Sequence, residues 1–236
     1  MENRAEPQIA IPAGLSEETS KVFEQVSKLD CIKDLYLCGG TAQSIQIDHR
    51  LSEDLDFELI GISKTRPQLG FHQIISELRE SFPDPAIEIL GDNHFEARIL
   101  EGRVKLSFFR PDNPVKHIET GYTFNNIKTP SLQDLLGMKV FTTGVRLLFR
   151  DYYDIYCLLE QGCKLGPAIE YAGFLSNHHD KSKAMYTRLL SPQLFPKDRD
   201  FDKMNPKYDV SPEQIAQRIK QAIREENLKP KGQAIE

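Results

Sequence analysis

Apolar residues recur every three or four positions, then every second position, then every three or four again. These changes of period divide the chain into predicted elements. Val22, Phe23, Val26 and Leu29 share one helical face, and Ser16 ahead of them suits a helix cap. Residues 1–14 carry two prolines and no period, and read as an arm. Leu35-Tyr36-Leu37-Cys38 is a short apolar run closed by Gly39-Gly40, which predicts a buried strand entering a tight turn, with a short helix over Thr41–Ile47. Leu55, Phe57 and Leu59 alternate within Asp54–Ile60, so a strand is predicted there. Phe71, Ile74, Ile75, Leu78 and Phe82 mark a second amphipathic helix, stopped before Pro83. Ala86–Leu90, Phe95–Leu100 and Val104–Phe109 are strand-like runs separated by Gly91-Asp92-Asn93 and Glu101-Gly102, the spacing of an antiparallel meander. After Pro130 the period becomes helical. Ser131 and Asp134 form a capping pattern ahead of Leu132, Leu135, Leu136 and Val140. Helical spacing continues over Tyr152–Leu159 and, more weakly, over 166–176, 181–190 and 212–225. The expected architecture is α+β: an α+β half over 1–128, then an all-helical domain over 129–236.

Composition changes this picture little. At 236 residues the chain fits one or two domains. Its net charge of −5 excludes a histone-like polycation but not a nucleotide or RNA partner, because binding depends on where charge sits. Residues 1–174 carry 18 basic and 26 acidic side chains, whereas 175–236 carry 12 basic and 9 acidic. Within that second part, Lys181, Lys183, Arg188, Lys197, Arg199, Lys203 and Lys207 read as a solvated surface or as a track for RNA phosphates. The four cysteines, Cys31, Cys38, Cys157 and Cys163, lack zinc-site spacing and read as free thiols of a reducing compartment. The chain start has no apolar signal segment, and no apolar run approaches the roughly 20 residues of a membrane span, so a cytoplasmic protein without membrane contact is expected.

Two groups of residues suggest chemistry. Asp54 and Asp56 are two apart on a predicted strand, so both carboxylates leave one face. Carboxylates that close repel unless a cation lies between them, and Mg²⁺ is commonly held by one or two carboxylates together with substrate phosphates. Gly39-Gly40 permits close backbone approach, and a helix beginning at Thr41 points free N–H groups at a phosphate. A Gly-Gly turn or an Asp-x-Asp pair alone is more often structural; the ordered combination is more specific. Ser52 suits a phosphate contact or a loop cap, and Arg50 suits a phosphate or Asp54. In the second group, Lys139 falls on the apolar face of its helix, where it must snorkel or meet an anion. Asp151 and Asp154 share an inward stripe with Ile155 and Leu158 and need a cation. A purely structural Lys–Asp bridge between packed helices is the alternative there. Adjacent His178-His179 lacks metal spacing, and Tyr152, Tyr153 and Tyr156 read as core more than as a base-stacking platform.

The run Leu37-Cys38-Gly39-Gly40-Thr41-Ala42, then His49-Arg50-Leu51-Ser52 and Asp54-Leu55-Asp56-Phe57, resembles the nucleotidyltransferase AbiEii/AbiGii toxin family of the polymerase-β-like superfamily. The likeness extends through Gly102–Phe109, Leu135–Lys139 and Arg150–Tyr156. It implies a nucleotidyltransferase-like mixed sheet flanked by helices, with Gly39, Gly40, Thr41, Arg50, Ser52 and Lys139 binding nucleotide and Asp54 and Asp56 holding Mg²⁺ or Mn²⁺. It also implies that Lys139 with Asp151 or Asp154 completes the catalytic set. The expected reaction moves a nucleoside monophosphate from an NTP to a hydroxyl of tRNA, other RNA or protein, in a toxin controlled by a cognate antitoxin. Ser107 departs from the pattern, because polymerase-β-like enzymes often carry a third carboxylate on that strand. Asp151, Asp154 or Asp56 is then the remaining candidate base. The alternative is a nucleotide- or nucleic-acid-binding protein with impaired turnover.

Overall fold

The computed structural model describes residues 10–60, 70–111, 119–176 and 182–228; His178, His179 and Lys181 lie outside them. The chain begins with helix α1 (Glu17–Val26), whose cap Ser16 accepts a hydrogen bond from the Thr19 amide and whose face of Val22, Phe23 and Val26 is buried. Strand β1 (Leu35–Cys38) runs directly into helix α2 (Gly39–Ile47). The helix therefore starts two residues earlier than its spacing predicts, and the Gly-Gly pair is its first turn rather than a turn before it. Strand β2 (Leu55–Leu59), helix α3 (Phe71–Ser81) and strands β3 (Ala86–Gly91), β4 (His94–Ile99) and β5 (Val104–Phe109) follow.

These strands form a five-stranded sheet in the order β1-β2-β5-β4-β3. β2 and β5 are parallel and the other neighbours antiparallel, so the sheet is mixed and the expected meander is its β3–β5 part. Its inner face carries an aromatic ladder across three strands. Phe57 stacks on Phe108 at 5.3 Å and Phe108 on Phe95 at 4.8 Å, each ring pair nearly coplanar. Phe71 of α3 meets Phe95 edge-on at 4.9 Å. This ladder holds the register that matters on the other face, because a slip of one residue would exchange the faces. Opposite the phenylalanines, Asp56 pairs with Ser107 and Ser107 with Glu96.

A hairpin of strands β6 (Thr120–Phe124) and β7 (Ile127–Pro130) turns through Asn125, whose φ is +50°. The hydrophobic pattern does not predict this hairpin. The described strands all precede residue 131, and helices follow: α4 (Leu132–Val145), α5 (Phe149–Glu160), α6 (Leu165–Leu175), α7 (Ser182–Leu189) and α8 (Pro212–Glu225). Ser131 caps α4 by accepting from the Asp134 amide, and Ser211 and Gln214 form a full capping box on α8. Tyr152 stacks on Phe195 at 3.7 Å, and Tyr153 donates a hydrogen bond to the His49 carbonyl. Both rings are fully buried, so they are core. All four cysteines are free, with Cys38 and Cys157 buried. Burial pushes each thiol above its ordinary range, which leaves none as a nucleophile at neutral pH. No helix among the described residues is long and apolar enough to cross a membrane.

Phe108→Ala removes the middle rung of the ladder. It is expected to lower the unfolding free energy by about 3–5 kcal/mol in a denaturant titration, whereas a loss under 1 kcal/mol would show that the ladder does not hold the sheet.

Candidate active site

The outer face of the sheet, α4, and the segment joining α4 to α5 enclose a cleft of about 840 Å³. Strand alternation puts Asp54, Asp56 and Glu58 from β2 and its lead-in on this face, with Lys105 and Ser107 from β5 and His94 and Glu96 from β4. The opposite wall carries Lys139 of α4, Arg146 after it and Arg150 at the start of α5. Met138, Phe141, Val145 and Leu175 supply an apolar lining. Acids thus line the sheet side and cations the helical side.

Gly39 and Gly40 are both on the cleft, and their lack of side chains is required. Gly39 has φ +69°, and a Cβ there would lie 3.0 Å from Asp56 Oδ2. A Cβ on Gly40 would lie 2.2 Å from Arg50 Nη2, because the guanidinium fills that space. No side chain caps α2, so its first-turn amides remain available for an anion. Thr41 does not line the cleft. Its hydroxyl is buried, donates to the Asp54 carbonyl and bonds to Ser52 Oγ at 2.7 Å. Thr41 and Ser52 therefore brace the strand lead-in that carries Asp54.

Asp56 accepts no hydrogen bond and makes no ion pair among the described residues. Burial raises its carboxyl pKa, and Asp54 adds to the rise, while Lys105, Lys139 and Arg146 oppose it. Lys105 Nζ stands 3.6 Å from Asp54 and 3.7 Å from Glu96. No described group of three or more His, Cys, Asp or Glu side chains forms a complete metal cage. An uncompensated carboxylate beside a second one instead fits a divalent cation completed by substrate oxygens. Glu58, two residues further along β2, is raised by burial to about 7.

Arg50 lines the cleft, as a phosphate contact requires, but its ion pair is with Asp154 rather than with Asp54. It forms a bidentate pair with Asp154, with Nε 2.7 Å from Oδ1 and Nη2 2.9 Å from Oδ2. Lys139 Nζ is 2.6 Å from Asp154 Oδ2 and 3.0 Å from Asp151 Oδ1. His49 Nε2 lies 2.8 Å from Asp154 Oδ1. Burial lowers the His49 pKa, so the ring is neutral and Nε2–H donates. Arg146 grips Asp151 through Nε at 2.8 Å and Nη2 at 3.2 Å. Asp154 and Asp151 are both completely buried and lie outside the cleft lining. Desolvation raises both carboxyls, but the cations override it and hold both below the ordinary carboxylate range. The structure thus combines the two alternatives for Lys139: it is bridged to both acids and also faces the cleft.

Sequence reasoning missed His94, Glu96, Lys105, Glu58, Arg146 and Arg150. Alternation on β5 signals Lys105, but strand order and register, which local spacing does not encode, bring His94 and Glu96 beside it. The Arg150 side chain makes no hydrogen bond or ion pair among the described residues. Among the described basic residues of the C-terminal stretch none lines the cleft, and Lys197 and Lys203 are paired with nearby aspartates.

Comparison with known proteins agrees with this architecture. The family model "Nucleotidyl transferase AbiEii toxin, Type IV TA system" matches residues 23–234. The chain is similar in structure to JHP933 of Helicobacter pylori, with a TM-score of 0.53 and 16% identity over 89% of this chain and 92% of that one. The nucleotidyltransferase toxin MenT4 of Mycobacterium tuberculosis gives a TM-score of 0.49 and 12% identity over 88% and 84%. The uncharacterized protein aq_aa25 of Aquifex aeolicus is 28% identical over 152 residues, 62% of this chain and 68% of its own length. At 16% identity the likeness to JHP933 is one of fold alone. The mixed sheet flanked by helices is the fold of a nucleotidyltransferase. By its match over nearly the whole length, the chain belongs to the AbiEii nucleotidyltransferase toxin family.

The Asp154 network has a pH signature. The folded value lies well below the unfolded one of about 3.9, so the unfolded chain takes up protons first as pH falls. The stabilisation is complete above about pH 4 and declines below it. Asp154→Asn should cost about 3–5 kcal/mol at pH 7, because it leaves buried cations uncompensated. It should also flatten the loss of stability below about pH 4, as read by denaturant titrations. An unchanged acid slope would contradict the assignment.

Proposed function

We propose that the chain transfers a nucleoside monophosphate from an NTP to an acceptor hydroxyl, with Mg²⁺ or Mn²⁺ at Asp54 and Asp56. The observation that carries this reading is the unpartnered Asp56 carboxylate beside the uncapped start of α2 and opposite a wall of cations. A divalent cation there supplies charge neutralisation to phosphate oxygens. The Gly39 and Gly40 amides approach those oxygens directly. Lys139, fixed by two buried carboxylates, faces the pyrophosphate that leaves, and Arg146 and Arg150 extend the positive wall along it. Asp151 and Asp154 act as positioning residues, because every hydrogen bond their carboxylates accept comes from a cation or from His49. Catalysis rests on orientation and preorganised charge.

The acceptor is a hydroxyl of RNA, tRNA included, or of a protein. The cationic wall suits a second polyanion entering beside the nucleotide. Family membership supports a toxin held in check by a cognate antitoxin. Ser107, in place of the usual third carboxylate, supports one rival reading, a nucleotide-binding protein without turnover.

Incubation with each of four α-labelled NTPs, Mg²⁺ and total RNA tests the proposal. Label on RNA or protein is expected with the wild-type chain and not with Asp54→Ala or Asp56→Ala, both retaining their thermal unfolding. Unchanged transfer in either variant overturns the assignment, and an NTP-dependent thermal shift without transfer selects the rival. Arg150→Ala, which breaks no described ion pair, should raise the KM for NTP about tenfold, equivalent to one charge-assisted contact; an unchanged KM would remove Arg150 from the phosphate wall.

A further inference from the structure

The proposed transfer needs a group to take the proton of the attacking hydroxyl. Ser107 occupies the strand position next to Asp56, and a serine hydroxyl is not a base at neutral pH. Asp151 and Asp154 are buried behind the cleft and saturated by Arg50, Lys139, Arg146 and His49, so neither is free to act, and in the proposed reading Asp56 is taken up by the metal ion.

His94 supplies what is missing. It lies on β4, lines the same cleft, and its Nε2 is 3.1 Å from Ser107 Oγ. The register explains the contact. Ser107 faces Glu96 across the β4–β5 ladder and His94 faces Phe109, so the imidazole and the hydroxyl are diagonal neighbours on one face. The ring edge of Phe109 packs against the imidazole at 6.1 Å between centroids. Ser107 is nearly buried but is open to the cleft beside Asp56.

We infer that Ser107 and His94 form a proton relay that replaces the missing strand carboxylate as the base of the transfer reaction. The inference rests on the proposed transferase reading. In the tautomer with hydrogen on Nδ1, Nε2 accepts the Ser107 proton. As the acceptor oxygen bonds to the α-phosphorus, its proton passes to Ser107 Oγ and the serine proton passes to His94 Nε2. The bond from the α-phosphorus to the bridging oxygen breaks, and its electron pair leaves with pyrophosphate. The serine ends as it began, and the histidine carries one proton and one positive charge.

The test measures single-turnover transfer rates for the wild-type chain, His94→Gln, Ser107→Ala, the double variant His94→Gln/Ser107→Ala, and His94→Gln/Ser107→Asp. Glutamine keeps a hydrogen bond to Ser107 but cannot take a proton, so a merely structural histidine would survive the change. The relay predicts a loss of about 100-fold or more in His94→Gln and in Ser107→Ala. It predicts no further loss in their combination, because the two act as a unit. It also predicts a recovery of at least tenfold when Ser107→Asp is added to His94→Gln, since that restores a carboxylate base. A His94→Gln rate within twofold of wild type overturns the relay while leaving the transferase reading intact. Additive losses, a failure of Ser107→Asp to rescue, or a nucleotidyl adduct on Ser107 in the intact-mass spectrum overturn it as well. Absence of transfer by the wild-type chain overturns both readings.

Discussion

The Asp154 carboxylate is the interaction on which the rest of the site depends. It is completely buried, and an isolated carboxylate there would be prohibitively costly. It is tolerated because a bidentate arginine, a lysine and a neutral histidine surround it. Those partners come from the segment after α2 and from helix α4, whereas Asp154 itself stands on helix α5. One buried charge therefore ties the sheet half to the helical half. The Gln43 side chain adds a bond to the Asp154 carbonyl, and the Tyr153 hydroxyl one to the His49 carbonyl, which fix the same junction from two more sides. Burying such a network is a poor way to gain stability compared with apolar packing. Its value here is that it sets where the cleft cations stand.

The acidic side chains near the cleft thus divide into two kinds. Asp151 and Asp154 are spent on structure behind the surface. Asp54 and Asp56 line the cleft and lack strong partners of their own, with Lys105 the nearest cation to Asp54. Lys139, Arg50 and Arg146 outnumber the two buried aspartates they share. The helical wall consequently keeps a surplus of positive charge, even though the chain as a whole carries −5. A triphosphate meets that local surplus, not the net charge. The Gly-Gly pair follows the same logic, with one glycine placing backbone against Asp56 and the other leaving room for the Arg50 guanidinium that Asp154 holds.

Much of this was legible in the sequence where the cause is local. Helices α1 and α4 announce themselves by capping residues and apolar spacing, and the β3–β5 meander by alternation and glycine turns. The Asp-x-Asp pair and the glycine pair are visible because their geometry depends on neighbours in the chain. The remainder depends on pairings far apart in sequence. Arg50 and Asp154 are separated by 104 residues, and no local period links them. His94 reaches Ser107 because β5, not β3, lies between β2 and β4, an order that no local period encodes. The β6–β7 hairpin escapes prediction because Thr120–Phe124 is largely exposed and carries no alternation of apolar residues. Thr41 looked like a phosphate ligand because the start of α2 was expected at that residue; with the helix beginning at Gly39, its hydroxyl turns inward to the Asp54 carbonyl.

If Asp154 acts by holding cations, its loss should be felt in binding before chemistry. Affinity for a non-hydrolysable NTP analogue in Mg²⁺, measured by calorimetry alongside kcat for transfer, separates the two roles in Asp154→Asn. Displacement of Arg50 and Lys139 predicts a Kd for the analogue at least tenfold weaker than wild type, as expected when 1.4 kcal/mol or so of binding is lost. An unchanged Kd together with a collapse of kcat would mean that Asp154 serves the chemical step itself, and would contradict the account.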